Sequence, residues 1–217
     1  MNPLNRSLLS IGMAALLVSP ASFAFQSPLS DESIREAYFL GQRHDASFLT
    51  DYIKFLPPPK TGPHISSVTF LTPFAQLTQL SSKYVGNYSA QQARLDHRGQ
   101  EESVKITVEI YLTNSYGALI PNPAASQTRS SALIPRPYDF WKDFRVLVYT
   151  GSQILSPSAS GGHSLYRGGR NGPRRPMGAA VDLEFAANAF TSDFVTVQVV
   201  PPEGAPVSVD FDLTRLR

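Results

Sequence analysis

The stretch 103-SVKITVEIYL-112 alternates without interruption. Val104, Ile106, Val108, Ile110 and Leu112 fall on one side, and Lys105, Thr107, Glu109 and Tyr111 on the other. A period of two is what an extended chain produces when one face is buried and the other is wet, so this is a half-buried β-strand. The same reading extends towards the C-terminal end. In 143-DFRVLVYT-150, Phe144, Val146 and Val148 oppose Leu147 and Tyr149, a pattern that predicts cover on both sides. In 179-AAVDLEFAA-187, Val181, Leu183 and Phe185 turn inward against Asp182 and Glu184. The runs 194-FVTVQVV-200 and 206-PVSVDFDL-213 flank the turn residues PPEGA and predict a hairpin.

No amphipathic helix separates these later strands, which excludes an alternating parallel α/β sheet. They predict an α+β protein built on an antiparallel β-sandwich, with Ig-like or C2-like layering. The sandwich is expected over residues 65–217. Leu119-Ile120 and Leu133-Ile134 are candidate short edge pieces in an otherwise Pro/Ser/Ala-rich surface loop. The chain shows no evident internal repeat.

Upstream of residue 103 the period is closer to 3.6. In 30-SDESIREAYFLGQR-43, Ser30 is placed as an N-cap, with Asp31 and Glu32 where the helix dipole favours acids. Ile34, Ala37, Tyr38 and Leu40 share a face, and Gly41 is placed to end the helix. A second helix is expected in 45-DASFLTDYIKFL-56, stopped by PPPKTGP. Residues 25–64 thus form an N-terminal helical pair and Pro-rich linker, expected to dock on the sandwich. After the strand 65-ISSVTFLT-72, Thr72-Pro73 opens a further segment with Phe74, Leu77, Leu80 and Tyr84 at helical spacing, for which a strand is the alternative reading. Ser89 and Gln92 carry a capping-box pattern for a short helix ending near Gly99.

Residues 1–24 have the three-part pattern of a secretory signal peptide: Arg6, an apolar run from Leu8 to Val18, then Ser22-Phe23-Ala24 before the expected cut. A mature chain starting at Phe25 would be periplasmic or secreted, and of bacterial type. The chain contains no cysteine, which excludes disulfides, thiolate nucleophiles and a lipid-bearing N-terminal cysteine. Lys+Arg and Asp+Glu nearly balance, at 19 against 17, so there is no general pull towards nucleic acid.

The feature most like a functional device is 161-GGHSLYRGGRNGPRRP-176, within a Gly/Arg-rich loop expected at 156–178. Arg167, Arg170, Arg174 and Arg175 could grip an anion, because guanidinium pairs bidentately with phosphate or carboxylate. A solvated connection between strands is the plainer reading. No Walker lysine and no Gly-x-Gly-x-x-Gly is present. The run GHSLY approaches the nucleophile-elbow pattern at Ser164, but Tyr166 replaces the last glycine, and neither strand nor helix is expected around it.

His44, His64, His97 and His163 are never three to five residues apart, so no helical zinc signature exists, and no metal or cofactor is expected. Asp182/Glu184 and Asp210/Asp212 each share a strand face and could be glycosidase carboxylates or calcium ligands; an ordinary polar face explains them as well. In 136-RPYDFWKDF-144, Tyr138 and Trp141 could stack on sugar rings or could close the core. The function expected is a noncatalytic binding or structural module of the cell envelope, its partner a polysaccharide, lipid headgroup or protein. The alternatives are an envelope polysaccharide hydrolase and an anion-recognising protein that uses the four loop arginines.

Overall fold

A computed structural model describes residues 25–84, 88–122, 132–167 and 175–217. They form helices packed beside three separate antiparallel sheets, none of them closed on itself. The five-stranded sheet contains β1 (Ile53–Phe55), β2 (His64–Leu71), β3 (Ser103–Tyr111), β8 (Ala159–Arg167) and β9 (Arg175–Ala186), in the order β1-β2-β3-β9-β8. The four-stranded sheet contains β6 (Arg145–Thr150), β7 (Gln153–Leu155), β10 (Phe194–Val200) and β11 (Val207–Asp212), in the order β11-β10-β6-β7. The third is a two-stranded ribbon of β4 (Leu119–Pro121) and β5 (Leu133–Pro135).

The alternation in 103–112 is realised directly. Val104, Ile106, Val108 and Ile110 are fully buried at the centre of the five-stranded sheet, with Phe70 and Val68 of β2 on one side and Leu183 and Phe185 of β9 on the other. Val195, Val197 and Val199 of β10 and Val209 and Phe211 of β11 join the same hydrophobic core. Phe70 meets Phe211 with ring centroids 5.3 Å apart, and Phe190 makes an edge contact with Phe70 at 5.4 Å. Phe25 reaches the same core and lies 6.2 Å from Phe190.

The helices are α1 (Asp31–Gln42), α2 (Pro73–Lys83) and α3 (Ala90–His97). Their expected caps form: the Ser30, Thr72 and Ser89 hydroxyls accept from the N–H groups of Ser33, Ala75 and Gln92. The Ser89 box closes on one side only, since the Gln92 amide turns to Asp96 at 2.5 Å. Leu29, Ile34, Ala37, Phe74, Leu77 and Ala93 make a second, smaller apolar cluster between the helices.

Four expectations are corrected. The helical pair is not formed by residues 30–43 and 45–56: residues Ala46–Tyr52 make a 3-10 turn, and Ile53–Phe55 pair with β2 as an edge strand. The partner that buries the apolar face of α1 is α2. Isolated short helices are marginal in water, and the β-branched and aromatic residues of Ile53–Phe55 gain more by joining an open sheet edge.

Gly41 does not end α1. It lies inside the helix, where an added Cβ would fall 2.8 Å from Ser81 Cβ and closer still to the Thr78 carbonyl. The Gly/Arg-rich loop expected at 156–178 is largely strand. Ala159–Arg167 and Arg175 onward are hydrogen-bonded to each other, because paired edge strands satisfy backbone groups that a solvated loop leaves to water. Finally, the chain does carry an internal repeat. The segments 118-ALIPNP-123 and 132-ALIPRP-137 differ at one position, and their central residues are the two strands of the ribbon, paired Ile120 to Ile134.

Candidate functional site

The β8–β9 hairpin extends from the edge of the five-stranded sheet and carries the residues the sequence singled out. A register shift between Leu165 and Tyr166 brings Arg167 directly opposite Arg175 at the last described pair. Both are exposed, and neither has an ion-pair partner among the described residues. Like charges directly opposite across two strands repel. Arg170 and Arg174 lie outside the described residues. From 144 to 181 the sequence contains five arginines and no acid, so the first acid on β9 after Arg175 is Asp182, seven positions along the strand.

Further down the hairpin the wet face of the sheet holds a polar cluster. Asp182 is its hub. Thr107 Oγ1 donates to Asp182 Oδ1 at 2.7 Å, Lys105 Nζ lies 3.5 Å from the same oxygen, and His163 Nδ1 lies 3.4 Å from Oδ2. Gly161 stands beside Asp182 with open space where a side chain would be. The result is a shallow basin of about 390 Å³, rimmed by Gln76, Lys105, Ser160, Asp182 and Glu184.

The carboxylates proposed as a hydrolytic set are not brought together. Asp182 and Glu184 are on β9 of the five-stranded sheet, whereas Asp210 and Asp212 are on β11 of the other sheet. Asp210 accepts from Thr196 Oγ1 at 2.6 Å, and Asp212 accepts from the Thr214 N–H at 3.1 Å as a turn cap. Ser164 sits within β8 and donates to the Tyr138 carbonyl at 2.7 Å, so its hydroxyl is bound to backbone and lies in mid-strand. Among the described residues no group of three or more His, Cys, Asp or Glu side chains is placed to hold a metal ion.

The aromatic run 136–144 divides. Phe140 and Phe144 are buried and meet Tyr116 at 6.2 Å each. Tyr138 is 78% exposed. Trp141 is between these extremes: one face of its indole lies on the backbone of Gly162, where an added Cβ would fall 2.5 Å from the ring. Only its outer side is left for a ligand.

A roomier cleft, about 610 Å³, is elsewhere, between α3 and the segment that leads into α1. Glu102 is nearly buried there. It accepts from the Leu29 N–H at 2.6 Å and the Ser27 hydroxyl at 2.7 Å, and His97 Nε2 lies 2.7 Å from Oε1. Sequence reasoning missed this cluster. Its only local signal is the acid pair Glu101-Glu102 after a helix-ending His, and the partners at 27–29 are over seventy residues away.

No helix among the described residues is long and apolar enough to cross a membrane. Comparison with known families yields no matching family model, and comparison with curated proteins yields no matching sequence.

Proposed function

We propose that this chain is an exported, noncatalytic binding module of the bacterial cell envelope that recognises an anionic surface through the end of its β8–β9 hairpin. Its framework on this reading is a β-sandwich, the five- and four-stranded sheets enclosing one core between them. The first 24 residues serve as the export signal. The observation that carries the reading is the facing pair Arg167 and Arg175, exposed and without an acidic partner among the described residues. An anion placed between two guanidiniums removes their repulsion and pairs with each bidentately, so binding relieves an unfavourable contact as it makes favourable ones. Arg170 and Arg174 fall between them in the sequence and would add to the same field.

The hydrolase alternative loses support because its carboxylates are split between sheets and largely engaged as hydrogen-bond acceptors. The test is retention on an anionic matrix such as dextran sulfate. Wild-type protein should elute at a salt concentration that falls sharply when Arg167, Arg170, Arg174 and Arg175 are replaced by serine, since attraction of this kind is screened by salt. A wild-type protein that the matrix never retains, or a quadruple variant that elutes unchanged, defeats the proposal.

A further inference from the structure

The β4–β5 ribbon offers an unusual surface. Pairing is Leu119 to Pro135, Ile120 to Ile134 and Pro121 to Leu133, so the two copies of the repeat are related by a twofold exchange. Residues paired or two apart share a face. Leu119, Pro121, Leu133 and Pro135 therefore lie together on one face, and Ile120 and Ile134 on the other. All four of the first set are exposed, Leu119 by 56% and Leu133 by 59%, whereas the two isoleucines are half-buried. An isolated two-stranded ribbon is marginal in water unless one face is covered.

The backbone narrows what can cover it. The Asn122 N–H donates to the Ala132 carbonyl at 3.0 Å and the Arg136 N–H to the Ala118 carbonyl at 2.7 Å. By alternation, the N–H groups at 119, 121, 133 and 135 would point away from the partner strand. Two of those four positions are proline, which has no N–H to offer. The ribbon is therefore blunted against strand addition, by another protein or by a second copy. What it presents is an apolar side-chain face.

Its own stretch of sequence is basic. Residues 114–137 contain arginine but no acid, and the ribbon's root is tied down by Arg136, which donates to the Gly117 carbonyl at 2.9 Å and lies 3.6 Å from the Tyr116 ring centre. Asp143 and Glu203 are the acids close enough to influence Tyr116, at the root. The chain enters the ribbon from the end of β3, where Tyr111 pairs with Gly178, three residues from Arg175. Ribbon and arginine pair thus leave the same end of the five-stranded sheet. An apolar face at the same end of the sheet as two cations without an ion-pair partner among the described residues matches one kind of surface, in which acyl chains lie beneath negative headgroups.

We infer that the ribbon is a wedge that inserts its Leu119/Pro121/Leu133/Pro135 face into an anionic lipid bilayer, while Arg167 and Arg175 engage the headgroups. This rests on the proposed anion-recognising function and names its target.

The test uses vesicles of phosphatidylcholine with or without phosphatidylglycerol. Because the chain has no cysteine, Leu133→Cys can carry a single environment-sensitive fluorophore. Residues 8–18 are themselves apolar, so the readout is placed on the ribbon. Expected are a blue shift and quenching by nitroxide lipid on anionic vesicles only, and vesicle affinity at least about tenfold weaker for Leu119→Ser/Leu133→Ser. The exposed positions of both leucines make unfolding of that variant easy to check by its thermal midpoint. Binding without a blue shift, or unaffected by the serines, overturns the wedge and leaves the anion site standing. Retention on dextran sulfate without vesicle binding does the same. Failure on both surfaces defeats both.

Discussion

Gly41 leaves no room for a side chain, since α1 approaches α2 so closely that a Cβ would overlap the Thr78 carbonyl and crowd Ser81. Gly41→Ala should therefore destabilise the protein by about 1–3 kcal/mol, although alanine is the better helix former. A urea midpoint equal to or above wild type would refute this. Tyr52 shows a different dependence on surroundings. Its hydroxyl accepts from the Arg217 N–H at 2.9 Å, and burial pushes the phenol above its ordinary value of 10.0. The folded protein then holds that proton more tightly than the unfolded chain does. The stabilisation is complete below about pH 10 and is lost as pH climbs towards the raised value. Tyr52→Phe should cost roughly 1 kcal/mol at neutral pH but flatten part of the alkaline limb. Tyr88, Tyr111 and Tyr116, also raised by burial, keep the rest. Parallel curves of stability against pH for the two proteins would contradict the assignment.

Among elements, the segment before α1 is secured by one side chain from the residue just before β3. Glu102 gathers the Ser27 hydroxyl, the Leu29 N–H and His97. Removing the carboxylate leaves these donors without their acceptor, a loss of about 1–3 kcal/mol. For Glu102→Ala the expected signature is local: faster hydrogen exchange at the Leu29 amide, with β3 amides such as Val108 unchanged relative to global stability. Glu102→Gln, which keeps an acceptor, should fall between. Uniform acceleration throughout the chain would mean that Glu102 supports the whole fold and not this segment. The β8–β9 hairpin is held in a comparable way, with Trp141 lying on Gly162 and Ser164 bonded to the Tyr138 carbonyl. These contacts give the facing arginines a rigid support.

For the whole molecule, charge placement carries more information than net charge. The balance of 19 cations to 17 acids conceals an acid-free interval of 38 residues, 144–181, that includes the entire β8–β9 hairpin end. The functional proposals draw on that asymmetry. They share one expectation: binding to anionic surfaces weakens with salt, whereas stability should respond little, because Arg167 and Arg175 have no ion-pair partner to lose among the described residues.

Sequence alone determined the alternating strands. Alternation at 103–112, 181–185 and 194–213 predicts the buried rows because an extended chain puts neighbouring side chains on opposite faces. The caps at Ser30, Thr72 and Ser89 were legible for a similar reason, each depending on residues within three positions. Other features depended on distant partners. Whether 53–55 continued a helix or joined a sheet depended on β2 offering an open edge. Whether Gly41 ended a helix depended on how near α2 came. The four arginines were visible as a run, but that Arg167 faces Arg175 came from the register of β8 with β9. The Leu-Ile-Pro ribbon required two separated copies of one motif to meet, and the Glu102 cluster joined residues more than seventy positions apart. Local steric and hydrogen-bonding rules act over a few residues and can be read along the chain. Packing between remote segments depends on the folded backbone, and only the tertiary structure decided it.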